Sequence, residues 1–421
     1  MVVCSSNNVA RPHKKAVNVF LIFVYIISII VDLYNGYMQN IKDSETIIPI
    51  IYKGGIILYC SFFMFSNKRA LLYSALFVLG YLCCVCYWSI SGYSLTVVSL
   101  IGDFTRLAYP YAVLLYLYTH RNDISVEAVM RYVVYGCVLV AISIIIFDLL
   151  GIGVASYGET YGYGTKGLFI AGNDVSLFLI LGNLFVSYLF TIKRENKYIV
   201  YSIIISVACM LIGTTSGIVG VGVNYLSLIL QPLLVRYMYN RKYKAFCWVL
   251  ILIGVPLLVQ WTINIINTDE YTLRKFSAER LISGGARDFL GDAFLNVASS
   301  FDIGDYLWGV GYQELGERVG AELRLNESRV VELNQYEFTG YYGMIFGGIL
   351  LLIPIWYLAK YVGKFVKRRF AFDYWMIIAL MLFVGHGFTA GHAYNSLLVM
   401  IVVVSIMFLY IKRCSSVIDY E

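Results

Sequence analysis

The sequence predicts an all-α fold: a polytopic membrane bundle of about 12 transmembrane helices. Three observations lead there. The 421 residues are 60% hydrophobic and only 14% charged, with a mean hydropathy of +0.73, whereas a soluble domain carries roughly 25% charged residues. Apolar runs of the length that crosses a bilayer, about 20 residues, recur along the chain. Basic residues gather in alternate connections between those runs, as the positive-inside rule requires of a multi-pass protein. The net charge of +6 therefore belongs to membrane loops and gives no reason to expect nucleic acid.

In chain order, spans fall near 17–35, 47–65, 70–90, 95–118, 130–150, 168–191, 198–212, 214–235, 246–265, 337–360, 373–390 and 393–411. Arg11, Lys14 and Lys15 precede the first, which reads as an uncleaved span. The seventh and eighth are parted by Gly213-Thr214-Thr215-Ser216-Gly217, and the last two by Gly391-His392. With both termini cytoplasmic, twenty-one of the 32 Lys/Arg lie in inner connections, such as 236–244 and 360–369. The chain thus divides into a bundle of about nine spans over 1–265, a large extracytoplasmic loop over 266–336, and about three spans over 337–421. It shows no fixed-period repeat and no low-complexity tract.

Polar residues inside such spans are costly and are usually functional or paired. Asp103 and Arg106 stand three apart, on one face of a helix. They form either a polar cavity wall or a structural ion pair. Lys53, in the outer half of the second span, has a stem long enough to snorkel. Cys83, Cys84 and Cys86 lie in an apolar run and read as buried thiols in lipid-facing or packed positions. The connection Gly151–Gly167 is rich in tyrosine and glycine, which suits a flexible loop that anchors at the headgroups or stacks on sugars. His386 and His392 lie close together but have no third ligand nearby in sequence, so neither a metal nor any cofactor is expected.

The loop carries the remaining polar chemistry. From Ile266 to Gln335 it holds twelve acidic and seven basic residues. Arg280 and Arg287 are seven apart, two turns if the segment is helical, though Gly284-Gly285 weakens a helix there. Guanidinium forks suit pyrophosphate oxygens, while Glu279, Asp288 and Asp292 are close enough in sequence to pair with them instead.

Several short elements resemble those of the O-antigen ligase and polymerase superfamily. Ser283-Gly284-Gly285-Ala286-Arg287 looks like its Ser-Gly-Arg element, and Trp308-Gly309-Val310-Gly311-Tyr312 like the Gly-x-Gly that follows. Glu332-Leu333-Asn334-Gln335-Tyr336 and Tyr342-Gly343-Met344-Ile345-Phe346-Gly347-Gly348 resemble its return into the membrane. Upstream, Lys166-Gly167-Leu168-Phe169 with Gly172-Asn173-Asp174, and Gly213-Thr214-Thr215-Ser216-Gly217, resemble elements that open central spans. The likeness covers about residues 165–350. Ligases of that family carry His-Asn eleven residues before the glycine of the next span, where this chain has Glu332. Its loop holds no histidine, the four being His13, His120, His386 and His392.

The resemblance implies a polymerase: a metal-independent, inverting membrane glycosyltransferase of GT-C type in the bacterial inner membrane, with short helices in its periplasmic loop and its active site facing the periplasm. Its partners would be an undecaprenyl-pyrophosphate-linked oligosaccharide, the bilayer and a chain-length regulator protein. It puts Arg280 and Arg287 on pyrophosphate and Glu332 on the acceptor hydroxyl, with Glu337 in reserve. Lys166, Asn173 and Tyr336 join the substrate-binding set. Lys166 stands where the family commonly has arginine. A ligase acting on lipid A-core, a lipid-linked oligosaccharide transporter and an export scaffold remain as rival classes. A transporter tends to show two similar halves, which this chain lacks. In a cysteine-free background, cysteines placed at Glu314 or Glu327 should react with an impermeant thiol reagent from outside intact cells; reaction only from the cytoplasmic side would invert the topology.

Overall fold

A computed structural model describes residues 12–157, 163–235, 286–325, 328–329, 331 and 333–415. Nearly all of it is helix. The chain runs through α1 (Pro12–Ile22), a π-helical turn (Phe23–Ile27), α2 (Ser28–Ile41), α3 (Ile48–Met64), α4 (Lys68–Ile90), α5 (Val97–Thr119) and α6 (Val126–Leu149). A small hairpin, β1 (Ala155–Tyr157) and β2 (Tyr163–Thr165), leads to α7 (Gly172–Lys193), α8 (Asn196–Ile212) and α9 (Thr215–Leu234). After the gap come α10 (Ala286–Ala298), α11 (Ile303–Trp308) and α12 (Tyr312–Glu322). The last part is α13 (Asn334–Tyr342), a second π turn (Gly343–Gly347), α14 (Gly348–Arg368), α15 (Ala371–Thr389) and α16 (Leu397–Ser415).

Among the described residues, eight helical segments are long and apolar enough to cross a membrane, so the chain is a multi-pass membrane protein. The largely apolar α3, α5 and α8 pack alongside them. Helices occupy eleven of the twelve apolar stretches picked out by hydropathy; 246–265 lies outside the described residues. The tenth begins earlier than its apolar run suggests, because α13 adds polar turns ahead of the π turn and α14.

Side-chain caps start many of these helices. Asn67 accepts from the amides of Arg69 and Ala70 at the head of α4, and Thr96, Ser125 and Thr214 cap α5, α6 and α9. The centre of the bundle is α7, whose residues Val175 to Leu189 are all buried, against α6, α8, α9, α15 and α16. Its polar residues are matched across the helices. Ser187 donates to Asn224 at 2.9 Å, Thr191 to Gln231 at 3.0 Å, and Asn183 to Ser206 at 3.2 Å. In an apolar medium such bonds join helices that have no hydrophobic reason to associate.

In the connection read as a flexible Gly-Tyr loop, the described residues on its two sides are paired. Ala155 lies opposite Thr165, and Val154 and Gly167 extend the pairing by a backbone bond of 2.8 Å. Of the three neighbouring thiols only Cys84 is buried; Cys86 is exposed, because successive residues of α4 face different sides.

The lobe formed by α10 to α12 is fixed to the bundle by one backbone-on-backbone contact. Gly309 and Gly343 both have positive φ, 74° and 71°. A Cβ on Gly309 would come 2.3 Å from the Tyr341 carbonyl oxygen, and one on Gly343 would come 2.2 Å from that of Leu307. The amides of Val310 and Gly311 donate to the carbonyls of Gly340 and Tyr341 at 2.8 and 3.1 Å. Trp88 of α4 donates its indole N–H to Gly309 at 3.0 Å. Gly343→Ala should therefore combine left-handed strain with a backbone clash, costing about 1–3 kcal/mol from the strain alone. A thermal unfolding midpoint in detergent unchanged from wild type would show that the contact is dispensable.

Candidate functional site

The best-built polar site lies beneath that contact. Thr96 caps α5, and the helix carries Asp103 and Arg106 on one face, as their spacing predicts. Arg106 Nη2 donates to Asp103 Oδ1 at 2.8 Å. The Tyr342 hydroxyl donates to the same oxygen at 2.6 Å, and Tyr81 approaches Asp103 Oδ2 at 3.4 Å. The guanidinium lies over the Tyr312 ring, 4.9 Å from its centroid, where the face of an aromatic ring attracts a cation. Asp103 is thus a paired buried charge, while Arg106 keeps 21% of its side chain exposed.

Glu337 extends the cluster. It sits in the first turn of α13, is fully buried, and accepts from the side-chain amide of Asn395. Its charge and that of Asp103 both act on Arg106. Several polar atoms here have no hydrogen-bond partner among the described residues: the donors Arg106 Nε, the Tyr341 hydroxyl and Asn334 Nδ2, and the acceptor Asn334 Oδ1 of the same fully buried side chain. Buried polar groups are normally satisfied, so these atoms beside the Glu337 carboxylate are hydrogen-bonding capacity that the described residues do not use.

The lobe holds Tyr312 in position through a second set of bonds. Asp302 caps α11 in a capping box with Asp305. Bonds from the Asp305 amide and the Tyr87 hydroxyl hold the Asp302 carboxyl below the usual range. Tyr87 and Tyr93 donate to Asp305, and Arg318 binds Glu314 at 2.8 Å while lying over the Tyr93 ring. Arg318 is thereby occupied in joining α12 to the α4–α5 turn.

Among the described residues, those singled out in the sequence do not all lie in one place. Arg280 and Glu332 lie outside the described residues, and Arg287 stands in the first turn of α10. Tyr336 is stacked on Phe294 of α10, with centroids 4.8 Å apart, so its ring is used in packing the lobe. Glu337 does lie with Asp103 and Arg106. Lys166 donates to Asn40 of α2 at 3.1 Å and to the Ile170 carbonyl at 2.6 Å, and burial pushes its ammonium below the usual lysine range. Asn173 lies half-buried in the first turn of α7. That turn meets the head of α9, where Thr214 donates to Ser176 at 2.7 Å, so the two upstream glycine-containing elements are neighbours in space. Among the described residues no cluster of His, Cys, Asp or Glu has the makings of a metal site.

Sequence reading missed Tyr312, Tyr341, Tyr342, Asn334 and Asn395 as members of one site. The doubled tyrosine before Gly343 and the polar residues after Gly391 were the available signals. The chain matches no family model, no curated protein and no solved structure.

The ion pair makes its own prediction. Arg106→Met leaves Asp103 as an uncompensated buried charge and should cost about 3–5 kcal/mol. Adding Asp103→Asn should recover most of that, since the lone charge is gone. If the double variant unfolds as readily as the single one in a detergent melt, Arg106 is stabilising something other than Asp103.

Proposed function

We propose that this chain is a polysaccharide polymerase, a membrane glycosyltransferase that lengthens a glycan carried on undecaprenyl pyrophosphate. The observation that carries the reading is the buried Asp103–Arg106–Tyr342 cluster, with unused donors and the Glu337 carboxylate beside it, under a polar lobe. The family likeness of the loop elements, in their order, supports the same reading. In this proposal the protein has twelve spans in a GT-C-like arrangement in the inner membrane, with both termini cytoplasmic and the lobe in the periplasm.

The proposed reaction joins the growing glycan to a sugar hydroxyl of a new lipid-linked repeat unit. The hydroxyl oxygen attacks the anomeric carbon. The bond from that carbon to the pyrophosphate oxygen breaks, and its electron pair leaves with undecaprenyl pyrophosphate. The hydroxyl proton passes to a carboxylate. Arg280 and Arg287 would meet the charge that develops on pyrophosphate, the step at which fixed cationic donors contribute most. Arg106 joins them through its unused Nε, held in orientation by Asp103 and Tyr312. Glu332 would take the proton, a role that needs hydrogen-bond contact with the hydroxyl and a pKa suited to the working pH. Glu337 would act in its place or orient the acceptor.

The direct test supplies purified protein with lipid-linked repeat units and resolves the products by size. A ladder of longer glycans is expected. Glu332→Gln should lower turnover about 10²–10⁴-fold, the usual worth of a general base, while donor lipid still binds. Arg287→Lys should recover little, because a point charge does not replace the planar fork. The double variant Asp103→Asn, Arg106→Met should be folded and nearly inactive. Undiminished ladders from Glu332→Ala and Glu337→Ala together would remove the carboxylate mechanism, and transfer of a finished glycan to lipid A-core without lengthening would make the protein a ligase.

A further inference from the structure

A second site lies on the other side of α5. An apolar groove of about 930 Å³ runs between α3, α4, α5 and α14, within the size range of ligand sites. Its floor on α5 is Phe104, Ala108, Tyr111 and Leu115, residues spaced along one helical face. Its flanks are open, since Leu76, Val78, Leu352 and Trp356 on its walls are exposed. At one end it stops against Trp308 and Phe346. There the rings of Tyr81 and Phe104, 5.1 Å apart, and of Tyr342 and Phe346, 6.1 Å apart, stand between it and Arg106.

The other end is different. It reaches Tyr73, Tyr118, Trp356 and Ile411, close to the ends of α5 and α16 where their basic residues begin. Lys360, one turn beyond Trp356, lies over that indole at 5.0 Å, and Lys364 lies over the Tyr410 ring at 4.2 Å. Lys68 and Arg69 open α4 one turn before Tyr73. The carboxylate of Asp373 on the adjoining α15 is bound to Arg413 at 2.8 Å. Aromatic side chains at headgroup level, with lysines just beyond, match the border of a bilayer leaflet whose lipids are anionic.

We infer that this groove is a binding site for an anionic glycerophospholipid of the cytoplasmic leaflet, its acyl chains between α3, α4 and α14 and its phosphate against Lys360 and Lys364. The charge at the mouth decides between occupants. A lipid seated with its headgroup at the Trp308 end would meet an apolar lining. A glycerophospholipid needs its headgroup at the lysine end. The site is separate from the Asp103–Arg106 cluster and does not rest on the proposed activity.

The test is native mass spectrometry of the full chain released from a neutral detergent after incubation with phosphatidylglycerol, phosphatidylcholine or undecaprenyl phosphate. Phosphatidylglycerol should be retained in preference to phosphatidylcholine. Lys360→Ala with Lys364→Ala should weaken its retention roughly ten-fold, from about 1 kcal/mol for each lysine near a charged headgroup, reduced by partial exposure. Ser61→Trp, which fills the groove from α3 without touching the lysines, should expel the lipid by occupying its acyl volume. Dibrominated phosphatidylglycerol should quench wild-type fluorescence more than that of Trp356→Phe. Equal retention of phosphatidylglycerol and phosphatidylcholine by wild-type protein would overturn the assignment, and so would preferential retention of undecaprenyl phosphate.

Discussion

Asp103 and Arg106 place two charges among apolar helices, and much of the surrounding structure serves to satisfy them. A carboxylate in such a medium is costly unless it is paired and hydrogen-bonded. Asp103 receives the guanidinium, the Tyr342 hydroxyl and an approach from Tyr81, drawn from α5, α13 and α4. Arg106 receives the Tyr312 ring from α12 and the charge of Glu337 from α13. Satisfying one helix's charge pair therefore fixes the lobe and the re-entering segment against the bundle. Between the membrane helices hydrophobic burial contributes little to this, because lipid is as apolar as the helices.

The glycines make that arrangement possible. Tyr312 and Tyr342 reach α5 only because the segment Trp308–Tyr312 lies directly on the backbone of Gly340–Gly343. At Gly309 and Gly343 a side chain would separate the two strands of chain by the width of a methyl group and move both tyrosines off the charges. The Gly-x-Gly and Tyr-Gly elements thus have a structural duty that is sufficient to explain their glycines. Their chemical importance is indirect, through the tyrosines they hold.

This explains what was legible in the sequence. Helical spans were, since each is a run of apolar residues bounded by caps, glycine or basic residues. So were Asp103 and Arg106, because a charge in an apolar run is conspicuous. Tyr342 was not: it is one of 37 tyrosines, and its bond to Asp103 joins residues 239 apart in the chain. Glu337 was legible only as a carboxylate near a membrane entry; its contact with Asn395 depends on α15 ending at Thr389 and the chain turning back. Local pattern also missed the pairing on the two sides of Gly151–Gly167. Abundant glycine suggested flexibility, but Gly164 is packed so that a Cβ would come 2.3 Å from the Ile212 carbonyl oxygen, which a side chain would prevent.

A chemical consequence follows from how Arg106 is held. One edge of its fork is committed to Asp103 and its face to Tyr312, leaving Nε without a hydrogen-bond partner among the described residues. An arginine used only as glue would be expected to spend its donors on protein, as Arg413 does on Asp373 and Arg318 on Glu314. Arg106 is oriented by two partners and retains a donor, which is how a group is prepared for a polar ligand rather than consumed by the fold. The Tyr341 hydroxyl and the Asn334 amide are likewise unused. A ligand bound there would replace missing hydrogen bonds instead of breaking existing ones, so the protein gives up no internal bond to admit it. The same cluster can therefore hold the lobe on the bundle and still keep donors that the fold does not use.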